Sequence, residues 1–363
     1  MKKPKLKKLK PRLPKSLPRP LRRAKGAEER VAEALQGVPR ITNETVAEHR
    51  EAVLGSARKY IYPLQHSKHR VVRTSLALLA IVLIAFFVFC VTALYRFQTT
   101  SGFMYGVTQI IPFPVAKAGP SWVSYESYLF ELRRNMHYYQ TQQATNFSNK
   151  NGAALLKRLR EQAMAQVIQD AYVEQLANSD HVTVTSQAVD NQVVLVRDEN
   201  RLGSSDRVFK EVLNEFWGWN EADFKRELGQ QLLQQAVVAR LDIATNDRAQ
   251  AAQKQLIAGA DFATLATAVS DDAATKANGG AYGTAITPVT TSLAPAITAE
   301  LFQLKPGQIS GIVNTGYTLE ILKVIDGNSQ SLHAAHIQFT FQPISKYINP
   351  LHAKEKPHQF IKI

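Results

Sequence analysis

Hydrophobic positions follow three different rhythms along the chain. From Thr74 to Tyr95 there are 22 residues without a charge, TSLALLAIVLIAFFVFCVTALY, which as a helix would reach about 33 Å and cross a bilayer. Farther on, apolar residues recur at three- and four-residue steps, the spacing that lines one face of a helix. Tyr125, Tyr128, Leu129, Leu132, Met136 and Tyr139 predict a helix starting at Ser124, and Leu155, Leu159, Ala163, Val167 and Ala171 predict one over 152–177. A short extended piece, HVTVT, leads to a capped helix carrying Val189, Val193 and Val196. A last helix begins at Asn220, an N-cap with Asp223 three residues on, and buries Phe224, Leu228, Leu232 and Leu233. That block is read as all-helical. The rhythm then mixes: helices are expected at 247–258, 261–269 and 293–303, and strands at 281–286, 309–313 and 317–325, which makes an α+β domain.

Charge is distributed unevenly. Residues 1–73 hold 20 Lys or Arg against 6 Glu, so the net charge of +14 lies entirely upstream of residue 74. The first 26 residues contain 12 basic side chains, five prolines and no acid, too little apolar surface to fold. The positive-inside rule places this tail in the cytoplasm and everything after Arg96 outside, with Tyr95 and Phe97 at the outer interface. An apolar run starting seventy residues in, with no small-residue cleavage site after it, reads as an uncleaved anchor. The tail's charges set topology; contact with anionic lipid is the next reading, and without a folded reading head or interleaved aromatics nucleic acid is disfavoured. The single cysteine, Cys90, lies in the apolar run, which excludes an intrachain disulfide and a thiolate cluster. No hydrolase elbow, zinc pair or phosphate loop occurs, and the nine histidines lack metal-ligand spacing, so no metal or cofactor is expected.

The segment GADFATLATAVSDDAATKANGGAYG, followed by ELFQLKPGQISGIVNTGYTLEILKV, resembles a parvulin-type peptidyl-prolyl isomerase over about a quarter of the chain. The resemblance implies an antiparallel sheet with covering helices, an apolar socket for a proline ring, and a polar cluster of two histidines and a Cys or Asp around the rotating carbonyl. It puts Leu293, Ile297 and Phe302 at the socket and Asp272 at the Cys or Asp position. Both usual histidines are missing from their usual places: the expected first strand reads ARLDIATNDRAQ, and the last carries Glu320, or Thr318 if the hairpin is shorter. However, LHAAHIQFTF after the last strand itself looks like a parvulin first strand. A turn at 326–329 would pair residues 332–340 with 317–325 and supply His336 in a circularly permuted domain. Alternatively HAAHIQF opens a second, truncated repeat, or is a surface strand whose histidines do nothing.

VSYESYLFELR, VTVTSQAVDNQV and WGWNEADFKRELGQQLLQQ, in that order, resemble the amino-terminal domain of SurA-like and PpiD-like chaperones. That implies an apolar cradle for unfolded polypeptide, with Phe216, Trp217 and Trp219 as candidates for its surface or simply for its core. The resulting plan is a basic, largely disordered tail (1–70), a transmembrane helix (71–97), a linker (98–120), a SurA-N-like helical domain (121–245), a parvulin-like domain (246–341) and an extension (342–363) without periodicity, read as disordered or cut off. The expected function is a membrane-anchored extracytoplasmic foldase, isomerising X-Pro bonds in secreted or envelope proteins, with Asp272, His336 and Glu320 as catalytic candidates. Its alternative is a holdase with a degenerate, inactive parvulin fold.

Overall fold

The computed structural model describes residues 42–61, 64–199 and 205–363. The basic tail through residue 41 lies outside the described residues. The chain divides into two units, residues 1–85 and 86–363. The first holds α1 (Asn43–Ile61) and most of α2 (Leu64–Val91). From His69 to Arg96 the helix is long and apolar enough to cross a membrane.

In the second unit, the end of α2 passes through a π-helical turn, Thr92–Arg96. Cys90, Ala93 and Leu94 are buried there in the core, and the Tyr125 hydroxyl donates to the Leu94 carbonyl at 2.6 Å. The stretch read as a linker folds instead, into α3 (Gly102–Ile110) and β1 (Pro114–Ala118). Its residues are small and apolar, and their order comes from burial of Met104, Val115, Ala116 and Ala118, which composition alone does not reveal.

β2 (Ser121–Ser124) pairs antiparallel with β1, and α4 (Tyr125–Gln142) follows directly, capped by Ser124. α5 (Lys150–Ser179), α6 (Ser186–Glu199), α7 (Asp206–Trp217) and α8 (Glu221–Leu241) come next. The Asn220–Asp223 pair forms a reciprocal capping box at α8. Trp219 is core, stacked on Phe130 at 5.3 Å, whereas Phe216 is exposed.

The second sheet is wrapped by α9 (Ile243–Ile257), α10 (Phe262–Val269) and α11 (Pro295–Leu301). Its strands β3 (Ile309–Asn314), β4 (Thr318–Gly327) and β5 (Leu332–Thr340) lie in that order, all antiparallel. Residues 281–286 make two bridges to β5, Ala281 to Ala335 and Ile286 to Leu332, rather than a full strand.

The end of the chain is ordered, contrary to its reading as a loose extension. α12 (Ser345–Lys354) packs on α5, and β6 (His358–Gln359) pairs with β1, completing a three-stranded sheet β2-β1-β6. The helical module is thus not all-helical. Its sheet draws on segments some 240 residues apart, a pairing that no local periodicity announces. Where the chain leaves α8 for the second sheet, buried Asp242 accepts from the Thr245 amide and, at 2.8 Å, from the amide of Gln342, where the chain comes back.

Candidate functional site

β4 and β5 alternate faces, as a pleated pair must. Leu319, Ile321, Ala335, Ile337 and Phe339 point to the side covered by α9 and α10 and join the main core. Leu322, Val324, Leu332 and Ala334 point to the other side, where Ile286, Ile297 and Leu301 cover them. Glu320 and His336 belong to this second face: Leu322 is the direct partner of His336, so Glu320 is its diagonal neighbour.

Three sequence-predicted residues meet here. The His336 Nδ1 lies 2.8 Å from Glu320 Oε2, and its Nε2 lies 3.0 Å from Asp272 Oδ2. Each ring nitrogen faces a carboxylate oxygen. Glu320 also accepts from the Thr318 hydroxyl at 2.7 Å, so the two residues weighed for that strand position act together. Glu320 and His336 are 2% and 4% exposed, whereas the Asp272 side chain is 22% exposed. Asp272 is the open end of a buried polar array.

Asp272 is positioned by its neighbours. The Asp271 amide donates to the Gln338 carbonyl, the Gln338 amide to Ser270 Oγ, and the Thr340 amide to Asp271, which Arg248 clamps at 2.6 Å. These bonds stitch residues 270–272 to the end of β5. The Thr275 hydroxyl, donating to Asp272 at 2.6 Å, holds the Asp272 carboxyl below the usual carboxylate range; the Ala274 amide and His336 act in the same sense against a smaller effect of burial.

Two members were not foreseen. Thr275 also lies 2.8 Å from His336 Nε2, and its signal was the D-x-x-T spacing of a side-chain-bonded turn. Tyr282 stacks on His336 with ring centroids 4.4 Å apart, and burial, then Glu320 and Asp272, push its phenol far up. Nothing in the sequence marked it beyond its place after the glycines.

The predicted socket is divided. Leu293 and Phe302 line a groove of about 800 Å³ with Pro288, Val289, Pro295 and Leu195, the last from α6. Ile297 is buried beneath, in the cluster under the sheet. Asp272, His336 and Glu320 are not among the walls of this groove. Among the described residues no group of three His, Cys, Asp or Glu is arranged to hold a metal ion.

Comparison with known proteins agrees with the two modules. Residues 233–326 match the family described as a PPIC-type PPIase domain, the rotamases, and residues 65–238 match the SurA-like N-terminal domain. Among solved structures, the foldase protein PrsA from Streptococcus pneumoniae is similar at 16% identity, over 66% of this chain and 84% of that one, with a TM-score of 0.20. No curated protein matches.

Proposed function

We propose that this chain, which carries a PPIC-type PPIase domain after a SurA-like N-terminal domain, is a membrane-anchored foldase that works outside the cytoplasm. It isomerises X-Pro bonds in unfolded secreted or envelope proteins. The observation that carries the reading is the array Glu320–His336–Asp272, with only its last carboxylate open. The apolar helix His69–Arg96 and the basic tail before it support the anchoring and the orientation.

An X-Pro amide is held planar by resonance that leaves negative charge on its oxygen, behind a barrier of about 18–20 kcal/mol. Twisting removes that charge. A fixed carboxylate beside the carbonyl therefore disfavours the planar state more than the twisted one, the difference on which catalysis rests. Asp272 takes this role. His336 and Glu320 are too buried to touch a client and act as positioning residues, keeping Asp272 in place. Leu293 and Phe302 offer apolar surface for the client chain, while on the cytoplasmic side the basic tail would meet anionic lipid headgroups.

Burial of His336 and Glu320 also favours a second reading, a holdase whose parvulin fold binds without turnover. A protease-free assay of cis to trans rates in proline peptides, on the full chain in detergent, separates the two. We expect catalysis that Asp272→Ala abolishes and His336→Gln weakens, while suppression of client aggregation persists. Uncatalysed rates in the unsubstituted chain would leave the holdase.

A further inference from the structure

Resting on the anchored reading above, the inference starts from the end of the apolar run, which is not available to lipid. Cys90 and Leu94 are fully buried and Ala93 nearly so, all within the core of the folded body. Further bonds fix this stretch: the Tyr95 hydroxyl donates to the Pro114 carbonyl at 2.5 Å, and Arg133 to the Thr100 carbonyl at 2.6 Å. What remains uncharged for the bilayer is Thr74 to Phe89, sixteen residues, or about 24 Å of helix against a hydrocarbon core of about 30 Å. A gap of this size is closed by thinning, by snorkelling of Arg70 and Arg73, or by protein beyond the span entering the interface.

The residues just beyond the span suit the third route. α3 buries Met104 and Thr108 on one side, packs Val107 against the core, and turns Phe103 and Ile110, spaced i, i+7, outward. Phe103 and Ile110 are 62% and 84% exposed, and Phe97 before them is 70% exposed. Large apolar side chains left this open within fourteen residues are unusual for a surface facing water. Exposed Arg96 stands next to Phe97, and the Gln98 side chain donates to the carbonyl of exposed Lys362, bringing a second cation to the same stretch. Apolar side chains beside cations suit an interface of acyl chains and anionic headgroups.

We propose that the folded body is seated directly on the outer leaflet, with Phe97, Phe103 and Ile110 inserted at headgroup depth and Arg96 and Lys362 on lipid phosphates, rather than held off the membrane on a flexible stalk. The occupant of this apolar face is the bilayer itself, since Phe97 and Phe103 follow the end of the apolar run at Tyr95 by only two and eight residues.

The test uses the full chain in vesicles of mixed phosphatidylcholine and phosphatidylglycerol, with Leu79→Cys, Phe103→Cys, Ile110→Cys or Ile257→Cys carrying an environment-sensitive fluorophore. Cys90 is buried, and the unsubstituted chain supplies the blank. Lipids bearing a nitroxide near the headgroup or deep in the acyl chain serve as quenchers. We expect the deep nitroxide to quench position 79, and the shallow one to quench positions 103 and 110 by roughly twofold or more over exposed position 257. Quenching at 79 with 103 and 110 matching the control would overturn the seat and leave the anchor standing. Absence of quenching at 79 would overturn both.

Discussion

Replacing Gly280 with alanine tests the feature on which the site depends, the flank of β5. Gly280 sits at φ +81°, and a Cβ there would lie 2.2 Å from the His336 carbonyl oxygen and 3.2 Å from the Ala266 methyl. Gly283 has nearly the same backbone, φ +73°, but a Cβ would meet nothing within 4 Å. The left-handed conformation costs alanine about 1–2 kcal/mol at either position. Only at 280 must the backbone also retreat, and it is held there by the His336 amide donating to the Gly280 carbonyl at 2.9 Å and the Tyr282 amide donating to Ala334 at 3.1 Å. At about 0.5–1.5 kcal/mol for each bond, Gly280→Ala should cost about 1–3 kcal/mol more than Gly283→Ala. Urea unfolding followed by circular dichroism gives the difference, and hydrogen exchange of peptides spanning 332–340 locates it. Gly280→Ala should lose protection in β5 and displace Tyr282 from His336. Equal destabilisation by the two variants, with β5 protection intact, would refute the close approach.

Two further outcomes follow from buried acids. Burial pushes Glu131 up to about 7, with Glu227 and Asp170 adding to it and Arg134, at 2.6 Å, opposing it; Asp170 is pushed up to about 6 in the same way. A carboxyl raised in the fold carries a penalty above its folded pKa that fades as pH falls toward the unfolded value near 4.5. Glu131→Gln should therefore stabilise by about 1–3 kcal/mol near pH 8 and by nearly nothing near pH 4.5, which urea midpoints at the two values would show. Asp242→Ala removes a buried acceptor from the Gln342 and Thr245 amides and should cost about 1–3 kcal/mol, read as a fall in denaturation midpoint.

What could be read from sequence was local. The Asn220–Asp223 capping box, the Ser124 start of α4 and the periodic faces of α5 and α8 each depend on residues within a turn or two of one another. Asp272 could be named as a candidate from its place in VSDDAATK, ahead of the glycines. The small sheet could not. β1 holds only five residues and β6 two, and their pairing joins Ala116 to Gln359. Pro350 and Pro357 break up the residues around α12, so its burial of Ile348 and the burial of Ile361 leave no periodic trace. Tyr282 became part of the site through contacts made by β5, fifty residues later.

These long-range pairings explain how a domain without the usual family histidines assembles a polar array. The sheet order β3-β4-β5, with 281–286 bridged to β5, sets the last strand between β4 and residues 281–286. A histidine on that strand reaches Asp272 although 64 residues separate them. The chain must then leave the sheet beside the point where it entered, and the Asp242–Gln342 bond marks that crossing. From there the chain returns to α5 and β1 of the helical module, where the Tyr172 hydroxyl donates to the Glu355 carbonyl and the Phe360 amide to Val115. The second sheet is thereby inserted in the helical module rather than appended to it.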